Sequence, residues 1–392
     1  MRQLTADDDA EAAWQLGFEA FGVPSPRPGP ATLELPGRTW FGAFVDDLLV
    51  GRTIDRTYDS YFGGALVPTC GIAAVTVAAE HRGQGGLTPL FAETLRFARE
   101  RGAVISTLFP TAPGIYRRFG YELIADFVTV ELRTAMLAAV PRPAGVRTRR
   151  ATVGDFDAIR AVYDAWAIEQ NGPLSRRGVS FPASAEDFLA AFTGVTVALD
   201  TDYRVCGFAS WDRGQGYGEQ AVMSVADLLA TTPDGYRALL GAVGSFASVT
   251  GLTKIDTSGD DLVRLFLPSL PWQVAGSSPY MLKILDLPGA VGLRRYPPGL
   301  TAELPFRLEG DFLAANNGGY LLTVAAGRAS CARDDHAGDR ILAPRGLALL
   351  YAGVQSCANL RAAGLLSGGD VEQDLDWDAL FGGRQAHIRD YF

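Results

Sequence analysis

The sequence predicts an α/β protein with mixed sheets: one unit that occurs twice, then a smaller third region. Three observations predict it. A β-branched run passes through a glycine-rich turn straight into a helical pattern. A capped helix followed by a hairpin candidate occurs in two places. The 392 residues, 48% apolar and 20% charged, are too many for one ordinary core and too apolar for disorder.

In chain order, the acidic stretch Thr5, Asp7, Asp8 and Asp9 precedes a helical run through Ala13, Leu16, Phe18 and Phe21. Residues 40–45 and 48–51 form the first hairpin candidate. The strand 73–77 then meets the turn 78–86, and Leu87, Leu90, Phe91, Leu95 and Ala98 recur at helical spacing. Residues 105–109 read as a strand that Pro110, Pro113 and Gly114 end. The stretch 141–145, with Pro141, Pro143 and Gly145, has the composition of a linker.

After it the pattern repeats. Thr152 and Asp155 stand before a run through Ile159, Val162, Tyr163 and Trp166, and 195–199 with 205–209 form a second hairpin candidate. Residues 223–229 read as the counterpart of 73–77, and Pro233 and Asp234 open a helix. Pro297, Pro298 and Gly299 mark a boundary before strand-like runs at 319–324 and 328–331 and an apolar helical run at 347–351. The expected regions are 1–140, 146–287 and 288–392.

The turn at 78–86 carries the most chemical information. Backbone N–H groups, a helix N-terminus and Arg82 converge there, a combination suited to a pyrophosphate. The plainer alternative is a connection whose glycines only relieve steric strain. The net charge of −9 disfavours nucleic-acid binding. No run of eighteen apolar residues suggests a membrane span, and the acidic start has no signal-peptide core, so a cytoplasmic location is expected. Cys70, Cys206, Cys331 and Cys357 lack metal-site spacing, and no metal is expected. His81, His336 and His387 have no evident partner for nucleophilic catalysis, and no G-x-S-x-G elbow occurs.

The run V-x-V followed by H-R-G-Q-G-G resembles the coenzyme A loop of the GCN5-related N-acetyltransferases, [QR]-x-x-G-x-[GA]. Arg82 and Gly85 match it, Leu87 stands at its last position, and Ala79 replaces a proline that many members carry. The downstream G-I-Y-R-R-F-G-Y-E resembles the Eis (enhanced intracellular survival) family. The resemblance implies tandem acetyltransferase folds with only the first active, followed by a sterol-carrier-like α+β domain. It implies acetyl coenzyme A as co-substrate, held by Val75, Thr76, Val77, Arg82, Gly83, Gln84, Gly85, Gly86, Leu87, Thr88, Thr111 and Ala112. Tyr116 falls on the family's general acid, and Phe392, through its α-carboxylate, on the general base. The acceptor would be a small-molecule amine or a lysine side chain, and the assembly a homohexamer. Without the resemblance, Tyr116 would read as a core residue and 389–392 as a loose tail.

The second copy departs where coenzyme would bind. Residues 230–235 have no Arg-x-x-Gly, and Asp234 puts a carboxylate where a phosphate would sit, so no coenzyme is expected there. Residues 21–32 contain no acid and one Arg. In the family this loop helps wall the acceptor pocket, so a narrower or less cationic acceptor than an aminoglycoside is expected. Trp40 and Phe44 could line that pocket or simply pack in a core, and Asp390 is the acid nearest the chain end. Two other classes remain open: a binding module of the coenzyme A fold without catalysis, and a lipid carrier working through the third region, where a packing role is favoured.

Overall fold

The first unit starts with β1 (Arg2–Gln3) and α1 (Ala10–Phe21). Asp9 caps the helix by accepting a hydrogen bond from Ala12 N, and Gly22 closes it. Next come β2 (Arg38–Val45), β3 (Leu48–Phe62) and β4 (Ala65–Val77). α2 (Leu87–Glu100) starts where the apolar spacing places it and buries Leu90, Phe91, Leu95 and Ala98. β5 (Ile105–Leu108), α3 (Pro113–Arg117), β6 (Glu122–Arg133) and α4 (Thr134–Ala138) complete the unit. The computed structural model describes residues 1–22, 29–259, 261–269 and 272–392. Most of the proline-rich segment expected to wall the acceptor pocket, 23–28, lies outside them.

The second unit repeats the plan with β7 (Arg147–Arg150), α5 (Phe156–Ala167), α6 (Ala185–Ala190), β8 (Gly194–Leu199), β9 (Val205–Arg213), β10 (Gly218–Ala230), α7 (Pro233–Gly244), β11 (Thr250–Thr257) and β12 (Gln273–Ile284). Thr152 and Asp155 form a reciprocal capping box just before α5.

Among the described residues the two units share one twelve-stranded sheet, ordered β1-β2-β3-β4-β5-β12-β6-β11-β10-β9-β8-β7. Each unit lends its last strand to the other half. β12 pairs with β5, Met281 opposite Leu108, while β6 pairs with β11, Val130 opposite Ile255. β6 and β12 pair with each other at the centre. Each half therefore needs its neighbour to close its sheet.

The third region contains α8 (Leu287–Leu293), β13 (Ala302–Leu308), β14 (Gly318–Ala325), β15 (Arg328–Arg333), β16 (Ile341–Leu342), α9 (Pro344–Ala352), α10 (Cys357–Ala362), β17 (Leu366–Ser367) and α11 (Asp374–Phe381). Its five-stranded sheet buries Leu304, Phe306, Leu322 and Val324 with Trp377 and Phe381, in a core continuous with Phe62 and Ile105 of the first unit. A buried ion pair ties it to the second unit: Lys283 Nζ of β12 lies 2.6 Å from Asp311 Oδ1, each side chain 1% exposed. Burial lowers the lysine's pKa, and the Asp311 charge opposes that shift. All four cysteines are buried and unpaired.

Candidate active site

β4 and β5 run parallel from the Thr69–Ile105 pair to the Ile72–Leu108 pair. There β5 ends, and β4 continues through residues 73–77 with one edge unpaired by β5. At the divergence the β3–β4 register shifts, so that Arg52 opposes Thr76 while Ile54 opposes Ala73. Ala74 has a φ of 49°, in the left-handed region. This bulge turns the strand and re-aims its backbone groups.

A cavity of about 600 Å³ opens at this fork. Val75, Thr76 and Val77 supply one wall, Arg82, Gly83, Gly85, Gly86 and Leu87 another, and Thr111 and Tyr116 the far side. Gly83 and Gly85 have φ of 77° and 83°, which side chains rarely tolerate, so glycine is required for the turn. Gly86 is the N-cap of α2 and provides no side-chain cap, which leaves the positive end of the helix dipole open to a ligand. Arg82 Nε donates to Val77 O at 3.1 Å and fixes the side chain beside the strand edge.

Nine of the twelve coenzyme residues inferred from sequence line the cavity, as does Tyr116, and three do not. Gln84 lies outside the wall, its amide donating to Glu80 O at 2.8 Å. Thr88 sits in the first turn of α2 and Ala112 is the N-cap of α3; neither lines the cavity. The other nine line it. Ala20, Phe21, His81, Ile115 and Arg118 also line it, and sequence reasoning did not place them there. Arg118 brings a second guanidinium; its place two residues after Tyr116 was the available signal.

Tyr116 is 6% exposed and packs against Phe91 and Tyr121, with ring centroids 5.8 and 6.3 Å away. Burial pushes its phenol up to about 12, so it stays protonated at neutral pH. Phe392 does not line the cavity. Its ring packs beside the fork, 5.0 Å from that of Tyr58, 5.3 Å from Phe109 and 6.3 Å from Tyr280. The chain end is a packed element. Trp40 and Phe44 belong to the small core beneath α1.

The tail that delivers Phe392 is gripped by the second unit. β10 and β11 run parallel up to the Val225–Ile255 pair and then diverge. Arg389 enters that fork: its Nη1 donates to Asp256 O at 2.8 Å and reaches Ala226 O at 3.5 Å, and its Nη2 meets Asp261 Oδ2 at 2.5 Å. Ser258 Oγ donates to Ile388 O and accepts from Ile388 N. Arg176 bridges Asp227 and Asp390, with contacts of 2.9 and 2.8 Å. The start of α7 is closed by its own residues, since Thr232 accepts from Gly235 N and Asp234 pairs with Arg237 at 2.8 Å.

The acetyltransferase (GNAT) domain family matches residues 1–124, and the sterol carrier protein domain family matches residues 287–389. An uncharacterized N-acetyltransferase of Streptomyces avermitilis is 32% identical over 364 residues, 84% of this chain and 82% of the relative. The chain belongs to the GCN5-related N-acetyltransferases. Within them it is Eis-like: N-acetyltransferase Eis of Mycobacterium tuberculosis is 29% identical over 337 residues, 81% of this chain and 79% of that one. A crystal structure of a GCN5-related N-acetyltransferase from Kribbella flavida superposes with a TM-score of 0.81 at 26% identity and covers all of both chains. This GCN5-related N-acetyltransferase therefore joins an α/β acetyltransferase architecture to a sterol-carrier domain. Among its described residues no cluster of His, Cys, Asp and Glu is set to hold a metal ion, and no helix is long and apolar enough to cross a membrane.

Proposed function

We propose that this N-acetyltransferase moves an acetyl group from acetyl coenzyme A to a primary amine of a small molecule or of a lysine side chain. The observation that carries the reading is the convergence, on one cavity of about 600 Å³, of an open helix start, a glycine turn with Arg82, a strand edge and a buried phenol. The helix start and Arg82 suit the diphosphate. The edge at 73–77 suits the amides of the pantetheine arm, which can pair with it as an added strand would. The second unit, with α7 closed, takes no coenzyme.

A primary amine has a pKa of about 10 and is mostly protonated at neutral pH, so a base must free it. The α-carboxylate of Phe392 takes that role, ionised because its ordinary pKa is about 3.5. The neutral nitrogen attacks the thioester carbonyl, and backbone N–H groups at 75–77 stabilise the oxyanion. The C–N bond forms, the C–S bond breaks, and Tyr116 gives its proton to the departing thiolate. The carboxylate passes its first proton to solvent, and the surplus proton of the cationic intermediate restores the Tyr116 phenol by way of solvent, so one proton is released per acetyl group moved.

Release of free thiol from acetyl coenzyme A with an amine panel tests the reading, and no release with any amine overturns it. Tyr116→Phe is expected to lower turnover by about 10²–10⁴-fold, with coenzyme affinity retained. Deleting Phe392 is expected to do the same. Equal turnover in Tyr116→Phe and the parent removes Tyr116 from the mechanism. Assembly as a homo-oligomer, a hexamer by family likeness, belongs to the same proposal, and sedimentation velocity checks it.

A further inference from the structure

The face of the sheet that receives Phe392 carries two guanidinium groups that no side-chain carboxylate among the described residues pairs with. Side chains alternate along a strand, so Arg52, Ile54 and Arg56 of β3 share one side. Across β2 they face Gly42, Trp40 and Arg38, and across β4 Thr76 stands beside Arg52 and Gly71 beside Arg56. Arg38 directly opposite Arg56 is a repulsive pair. Arg52 is 7% exposed, its Nε is buried without a hydrogen-bond partner, and its guanidinium lies 5.1 Å from the Trp40 ring. Burial alone acts on its charge and pushes its pKa down to about 10; no carboxylate among the described residues offsets that. Arg56 Nε is likewise unpartnered, with the guanidinium 5.2 Å from the Tyr58 ring and 5.6 Å from that of Phe392. Trp40 Nε1 and Thr76 Oγ1 are two more buried polar atoms without partners on this side.

The placement is built into the helix above it. A Cβ on Gly17 of α1 would lie 2.0 Å from Arg52 Nη2, so a helix-weakening glycine admits the guanidinium. The side-chain carboxylates of Asp55, next to Arg56 in β3, and of Asp390, two residues before Phe392, are already engaged. Asp55 binds Arg101 at 2.6 Å, and Asp390 binds Arg176 at 2.8 Å. A buried guanidinium without a counter-charge is costly, and such costs concentrate at functional sites. Thr76, the neighbour of Arg52, also lines the coenzyme cavity, so the unpaired charge stands one strand from the place where the thioester would lie.

We propose that the acceptor is a primary amine that also carries a carboxylate or a phosphate, and that Arg52, with Arg56 four residues along the same strand, holds that anion while the amine faces the fork. This rests on the acetyl-transfer reading and narrows it. A guanidinium matches either anion through two parallel hydrogen bonds, whereas a polyamine would meet like charge.

Thiol release by the full-length protein is compared across matched amines: ethanolamine with phosphoethanolamine, propylamine with β-alanine, and spermidine. At least one anionic member is expected to exceed its neutral partner in kcat/KM by about tenfold or more, the worth of a hydrogen-bonded charge pair, and Arg52→Met to erase that ratio. The two pairs tell carboxylate from phosphate. Turnover of neutral amines or spermidine as good as that of both anionic amines, or a ratio that survives Arg52→Met, overturns the inference while acetyl transfer stands. No turnover with any amine removes both readings. Melting without ligand is a second check. Arg52→Met loses an unpaired buried charge and is expected to melt above the parent; melting below it would show that the guanidinium has a structural partner and overturn the inference.

Discussion

The two halves of the long sheet each contain a parallel strand pair that splits, and the two splits are filled differently. In the first half β4 outruns its last pair with β5 by residues 73–77, beside a cavity of about 600 Å³. In the second half β10 outruns its last pair with β11 by residues 226–230, and Arg389 from the chain's own tail sits there. Both strands also shift register against their outer neighbour at the split, at Ala74 in one and at Ala226 in the other. The helix that follows differs in the same sense. α2 begins at an uncapped glycine beside Arg82, whereas α7 begins at Thr232, which closes it, and at Asp234. One architecture thus yields an open cavity and a filled socket, which shows how little a fold dictates until side chains are assigned. The residues that the socket grips lead directly to Phe392, whose ring packs against Phe109 just past the end of β5.

The comparison breaks most visibly at Arg389. Arg389→Met leaves the Asp261 carboxylate buried without its cation, which costs about 3–5 kcal/mol. The expected result is faster hydrogen exchange over 387–392, release of Phe392 by carboxypeptidase, and lost turnover with coenzyme binding retained. An unchanged tail would mean that the socket is packing only. Next in size is Arg82→Ala. It removes one charged hydrogen-bonding group from the open fork and is expected to weaken acetyl coenzyme A binding by about 1.5–3 kcal/mol, without loosening the tail. Calorimetry and the same exchange measurement separate the two forks.

The smallest effect is one of pH. Burial lowers the pKa of His387, whose ring Nδ1 is 2.9 Å from Ser258 Oγ, and the nearby Asp261 carboxylate opposes the shift. A histidine whose folded pKa is depressed contributes stability that is present above its ordinary value of about 6.5 and is lost as pH falls through the folded value. Protection of the 387–392 amides, taken relative to their intrinsic exchange rate at each pH, should therefore fall on acidification below about pH 6.5, where a free histidine takes its proton. His387→Gln should flatten that fall.

Much of this contrast was legible in the sequence. The strand 73–77, the glycine turn and the start of α2 at Leu87 are local signals, and all three stand where the periodicity puts them. Pro233 at the first position of α7 and Asp234 in its first turn were equally visible. The exchange of β6 and β12 was not. Pairing between Val130 and Ile255 is a contact across more than a hundred residues, and no local period reports it. The bulge at Ala74 was hidden because alanine gives no sign of a left-handed backbone. Arg389 looked like part of a tail because the atoms it satisfies, such as Asp256 O, are backbone groups that every residue type carries. Arg52 was missed because nothing in an alternating strand marks a buried cation that lacks a partner.

The central claim is that one fork takes coenzyme and the other is occupied by the chain itself. Calorimetric titration of the full-length protein with acetyl coenzyme A tests it most directly. The account predicts one molecule bound per chain, at a site that Arg82→Ala weakens. Two molecules per chain, or none, would contradict it.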